Sequence, residues 1–239
     1  MSAVLPSGRA ITTSEQARVD CLVLAWGMLL LLCWDQLGWD RDVSRWFGDA
    51  NGFVWRDAWL TSSLLHQGGR VLAWGAVALL LVHGWRPLRL ISLEQDRRQR
   101  LFMLMAVLLC VVWVPTLKQF SATSCPWDLQ EFGGVASYVS HWDALFRGLR
   151  DGGPGRCFPS GHAVAAFGFI PVYFVLRRDA PQRARHVLWV IVLMGLLFGT
   201  AQLVRGAHYV SHTLWSAWLC WLLAVCLDRT LFSRPGSRR

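Results

Sequence analysis

Lysine is almost missing from the 239-residue sequence: Lys118 stands alone beside 23 arginines. Charge of either sign is scarce. Charged residues make up 16% of the chain, whereas an ordinary soluble domain carries roughly 25%. Only 15 carboxylates offset 24 basic side chains. This shortage argues against a soluble globular domain. The net charge of +9 does not make a nucleic-acid surface either. Such a surface gathers Lys and Arg on one face, and here they sit in short blocks between apolar runs. No CxxC pair suggests zinc. No internal repeat is visible. No A-x-A-like cleavage site follows the first apolar run, which therefore reads as a retained helix.

Apolar residues are abundant instead, at 54%, and many of the 15 Trp lie near the ends of apolar runs, as expected for interfacial belts. Six runs fall at roughly 19–37, 70–86, 101–117, 162–177, 187–204 and 213–228. Several approach the lower limit of about 17 residues for a spanning helix. The pattern predicts an all-α fold, a polytopic membrane bundle of six transmembrane helices in a single domain, 1–239. Fifteen of the 24 basic residues lie in the N-tail, the 2–3 and 4–5 connections and the C-tail; nine lie on the other side. Cytoplasmic segments carry the excess of Arg and Lys. Both termini are therefore expected to be cytoplasmic, with tails 1–18 and 229–239 inside and loops 38–69 and 118–161 outside. In loop 38–69, Phe53, Trp55, Trp59, Leu60 and Leu64 suit either a short interfacial helix or a plain packing segment.

Three polar clusters fall on the outward side. The first runs from Lys118 to Cys125-Pro126, at the end of the third helix. The second is Cys157-Phe158-Pro159-Ser160-Gly161-His162, just before the fourth. The third runs from Gln202 through Arg205 and His208 to His212, between the fifth and sixth. A lone lysine is a compact point charge that suits a phosphate, or else an interfacial side chain reaching for water. Ser160-Gly161-His162 precedes a helix, whose free N–H groups suit an anion, and Gly161 allows close backbone approach. His208 and His212 are four apart and share a helix face. That spacing suits a nucleophile with its orienting partner, a metal pair or structural histidines. His66, His83, His141 and His186 are scattered elsewhere.

Together the clusters resemble the type-2 phosphatidic-acid-phosphatase superfamily, membrane lipid phosphatases that share a core with the vanadium haloperoxidases. The family pattern is K-x6-R-P, then P-S-G-H, then S-R-x5-H-x3-D. Lys118-x6-Cys125-Pro126 matches with Cys for Arg. Pro159-Ser160-Gly161-His162 matches throughout. His208-x3-His212 matches in spacing with His for Asp, and Ala201-Gln202 stand where Ser-Arg is expected. The resemblance implies that His208 attacks phosphorus to form a phosphohistidine and that His162 protonates the leaving group. It implies that His212 orients His208, and that Lys118, Ser160 and Gly161 bind phosphate oxygens. Arg205 and Arg156 are expected to replace the missing arginines, and Asp128 or Glu131 to supply the missing carboxylate. No cofactor and no metal are expected.

Cys125 and Cys157 are the two cysteines outside the apolar runs. They flank Lys118 and His162 in an outward loop, where oxidising conditions favour a bridge, so a Cys125–Cys157 disulfide is expected.

The implied activity is hydrolysis of a lipid phosphate monoester or diphosphate at the outer face of a bacterial inner membrane. The expected partners are the bilayer and a lipid phosphate, with no nucleic acid; the sequence carries no signal for oligomeric state. A lipid phosphotransferase, an inactive lipid-phosphate binder and a metal-dependent membrane oxidoreductase remain alternatives at this point.

Overall fold

The computed structural model describes residues 13–88 and 95–232. The expected tails 1–18 and 229–239 fall largely outside them. Among the described residues five helices are long and apolar enough to cross a membrane: α1 (Thr13–Leu37), α3 (Trp59–Trp85), α4 (Arg97–Gln119), α8 (Pro181–Val204) and α9 (Val210–Leu227). Between them lie the short helices α2 (Trp39–Arg45), α5 (His141–Arg147), α6 (Val164–Phe167) and α7 (Ile170–Leu176), and a hairpin of β1 (Gly48–Asp49) and β2 (Gly52–Phe53).

The second membrane helix begins earlier than its apolar run. Trp59–Gly68 is already helical, with π-type winding, and continues into Gly69–Trp85. Polar residues from Thr61 to Gln67 hide this helical start from hydropathy. The fourth apolar run differs in the other direction. It forms α6 and α7, interrupted at Gly168-Phe169. Val164–Leu176 alone covers about 20 Å at about 1.5 Å per residue, and the run as a whole leads from His162 at the cavity to Arg177 at the opposite end, through the packed centre of the bundle. Phe167, Ile170 and Phe174 are buried in one cluster with Cys110 and Val114 of α4, Ile191 of α8, and Cys220 and Ala224 of α9.

Local chemistry sets the helix ends. Asp96 caps α4 by accepting from the Gln99 N–H (2.7 Å), and the Gln99 side chain accepts from the Asp96 N–H (2.9 Å), which closes a capping box. Pro181 opens α8 at a position whose N–H needs no partner. The outer faces of α1 and α3 are apolar and exposed, including Leu22, Trp26, Leu30, Val71 and Leu72. Such a patch is far larger than a soluble monomer shows, and lipid is the solvent it fits.

The two ends of the bundle differ. At one, Arg177 holds Asp20 of α1 (2.8 Å to each oxygen) and Asp228 beyond α9 (3.1 Å). At the other, α2, the hairpin and α5 pack against the first turns of α9 and the turn that precedes it. Asp35 at the end of α1 accepts from His141 Nε2 (3.2 Å), Trp142 Nε1 (2.9 Å) and Trp215 Nε1 (3.0 Å). Asp40 accepts from the Ser211 N–H (3.0 Å), from the Ser211 hydroxyl and from Trp34 Nε1 (2.8 Å). Ser211 lies in the first turn of α9, so Asp40 satisfies a helix N–H that has no partner within its own helix. The three motif stretches meet at this covered end.

Candidate active site

Each stretch is positioned by an ordinary local device. Lys118 ends α4 one turn after Pro115. Beyond it the chain lies beside 151–157. Ser121 O accepts from the Arg156 N–H (2.7 Å) and Thr123 O from the Cys157 N–H (2.9 Å). Asp151, buried, accepts from the Ser124 N–H (2.6 Å), the Ser124 hydroxyl (2.9 Å) and the Gly153 N–H (2.9 Å). Cys125 and Cys157 are joined, with sulfurs 2.08 Å and Cα atoms 5.1 Å apart. Between α8 and α9 the chain reverses at Gly206, whose φ of +71° favours glycine and whose missing Cβ leaves room for the Phe53 ring. That turn delivers His208.

The result is a cavity of about 680 Å³ lined by Lys118, Gly161, His162, Arg205 and His208, with Cys125 on its wall. A Cβ added at Gly161 would lie 3.6 Å from Lys118 Cδ, in ordinary contact. The wall continues over Ala73, Trp74 and Val77 of α3 and Val111 and Pro115 of α4. The cavity is thus polar at one end and apolar at the other.

Other expected residues lie elsewhere. Ser160 is fully buried and does not line the cavity; its N–H donates to His212 O (3.0 Å). The helix after His162 starts only at Val164 and lasts four residues, so little helix dipole is available there. Arg156 is exposed and lines a separate groove with Asp151 and Gln119. His212 is buried behind His208, ring centroids 5.8 Å apart, and its Nδ1 has no hydrogen-bond partner. What stands at His208 Nδ1 is Cys157 Sγ, at 3.5 Å. Asp128 and Glu131 are committed elsewhere. Asp128 accepts from the Cys125 N–H (3.2 Å), and Glu131 pairs with Arg41 (2.9 Å) and Arg45.

The sequence reading passed over His66. Its ring lies on the ring of His162, centroids 4.4 Å apart, and it lines the same cavity. The available signal was the polar break at one end of an apolar helix. Gln202 joins His66 Nδ1 (3.2 Å) to Arg205 Nη1 (3.5 Å). Arg205 also donates through Nε to Arg56 O (2.7 Å).

Burial dominates the electrostatics. It pushes His162 down to about 4, helped by His66, Arg205 and Arg70, while a bond to Leu65 O opposes it. It pushes His208 well below the usual imidazole value, helped by Lys118 and His162. Both rings are therefore neutral at pH 7 in the free protein. Cys125, Cys157 and His208 hold their donor atoms within 4.8 Å of one another. The two sulfurs are bonded together, however, so no thiolate is left for a metal.

The PAP2 superfamily model matches residues 99–234. This chain belongs to the PAP2 superfamily. No curated protein and no solved structure is significantly similar to it. PAP2 membership brings phosphatase-type activity on phosphate esters. Against the PAP2 pattern, the chain's departures at Cys125, Gln202 and His212 all fall in or beside this cavity. At Cys125 a bridge stands in the arginine's place.

That bridge closes a loop across 32 residues. Its removal in a Cys125→Ser/Cys157→Ser protein is expected to cost about 3–4 kcal/mol in the chain-entropy description, read as a lowered Tm in detergent. Peptides from unreduced protein should contain the pair joined; alkylatable thiols at both positions would contradict the bridge.

Proposed function

We propose that the protein is a membrane lipid-phosphate phosphatase working through a phosphohistidine at His208. The observation that carries this is the convergence of Lys118, His162, Arg205 and His208, from three distant stretches, on one cavity with an apolar extension. A phosphate headgroup fits the polar end, and an acyl or prenyl chain fits the wall between α3 and α4. His208 Nδ1 faces Cys157, which leaves Nε2 to attack. The P–N bond forms as the P–O bond to the lipid breaks, and His162 delivers a proton to the departing oxygen. Lys118, Arg205 and the Gly161 N–H hold the oxygens on which charge spreads. Water then attacks the phosphohistidine with His162 as base.

The neutral His162 of the free protein is a poor proton donor. The substrate supplies the remedy. A phosphate monoanion brings a proton, and its negative charge raises the basicity of the adjacent ring.

Depressed pKa values in the free protein have a kinetic consequence. kcat/KM reports the free enzyme. A neutral nucleophile is lost only when pH falls through the folded value, far below the ordinary imidazole value of about 6.5. No acid-side decline centred near pH 6.5 is expected; the decline should come well below it. An acid limb at 6.5 would contradict a buried neutral His208.

The cavity end of the bundle is placed outward, facing the periplasm of a bacterial inner membrane. The arginine distribution and the bridged cysteines both support this side. The activity itself is tested by phosphate release from a panel of phospholipid, polyprenyl and lipid A phosphates. Release from at least one should survive a chelator and be inhibited by vanadate. Failure across the panel, or loss with EDTA restored by zinc or iron, would overturn the proposal.

A further inference from the structure

We infer that His66 is a phosphate-binding residue of this site, a hydrogen-bond donor that makes up for the arginine the family pattern places at Gln202. The inference rests on the phosphatase reading of the same cavity. Donor supply is where the pattern leaves a gap. Position 125 is a bridged cysteine and Arg156 is exposed outside the cavity. Arg205 already spends Nε on Arg56 O and directs Nη1 at Gln202 Oε1. A phosphoryl group spreads its charge over three oxygens and needs several donors.

The hydrogen bonds determine which form of His66 is present. Arginine has only donors. The Gln202 atom facing Arg205 Nη1 must therefore be the carbonyl oxygen. The amide nitrogen then faces His66 Nδ1, at 3.2 Å. That nitrogen donates, so Nδ1 accepts, and the proton of the neutral ring sits on Nε2. His66 is thus held as an Nε2–H donor on the cavity wall, half-buried, its ring against His162. Gln202 does not replace the arginine as a phosphate ligand. It relays a fixed orientation from Arg205 to the imidazole.

Two substitutions separate donation from packing. His66→Phe keeps an aromatic ring against His162 and removes the donor. His66→Gln removes the ring and keeps an N–H donor at about the reach of Nε2. The probes are inorganic phosphate and orthovanadate, titrated calorimetrically into detergent-purified protein, alongside phosphate release from whichever panel lipid is turned over. His66→Phe is expected to weaken anion binding by about tenfold to a hundredfold, the range for a hydrogen bond to a charged group. His66→Gln should lose less than about tenfold, with both variants melting near the wild type. If His66→Phe binds both anions within twofold of wild type, the inference is overturned. It is overturned equally if His66→Gln loses as much as His66→Phe, since packing would then be the cause. Wild-type protein that binds neither anion overturns it as well. Wild-type protein that binds phosphate through His66 yet hydrolyses no lipid would sustain the inference and sink the hydrolytic reading.

Discussion

His208→Ala is expected to lower phosphate release by about 10⁴-fold or more, a loss of the size seen when a covalent nucleophile is removed. His208 is the histidine that both lines the cavity and follows the turn at Gly206, with Nδ1 against Cys157 and Nε2 left to react. His212 is buried behind it and does not line the cavity. The substitution removes a neutral side chain and leaves no charge unpaired. Asp40 still secures the start of α9 through Ser211, so the protein should remain folded. Loss of phosphate release with retained anion binding is the expected signature. Activity within tenfold of wild type would end the phosphohistidine mechanism.

His162→Ala is expected to lose about 10²–10⁴-fold, the usual worth of general acid–base help, and the loss should depend on the leaving group. An alkoxide leaves poorly without a proton, whereas a p-nitrophenolate leaves without one. The variant should therefore retain far more activity on p-nitrophenyl phosphate than on a lipid phosphate. Equal losses on both would mean that His162 binds or packs but does not protonate. A packing component is expected too, because His162 lies against Phe198 (5.3 Å) as well as His66. His162→Gln would help to separate the two.

The three motif stretches were legible because the chemistry needs particular residue types at fixed spacing. Lys118, His162 and His208 carry that signal whatever surrounds them. The membrane character was legible because apolar runs that long have no place in a soluble domain. Helix boundaries were less so. The start of α3 at Trp59 is hidden by Thr61, Ser62, Ser63, His66 and Gln67, of which His66 lines the cavity. The fourth run reads as one continuous helix, whereas the structure interrupts it at Gly168-Phe169 and buries it among neighbouring helices.

Residues whose roles depend on tertiary contact were the ones missed. His66 lies 96 positions from His162 in sequence, and nothing local links them. Asp35 and Asp40 brace α9 from across the bundle, yet in sequence they look like loop-end acids. Asp128 and Glu131 looked available as carboxylate partners because proximity in sequence to Cys125 says nothing of which donors claim them. Arg156 was placed by its position beside the second motif. Its backbone φ of +58° and its N–H bond to Ser121 accompany a side chain lining a different groove.

A covalent phosphohistidine on His208 is the intermediate on which the mechanism turns. It is tested most directly by rapid quenching of the protein with a turned-over lipid phosphate, followed by peptide mass spectrometry under alkaline conditions. Phosphate is expected on the peptide containing His208, acid-labile and base-stable, and absent from His208→Ala. Turnover without a modified His208, or phosphate on a different side chain, would contradict the mechanism.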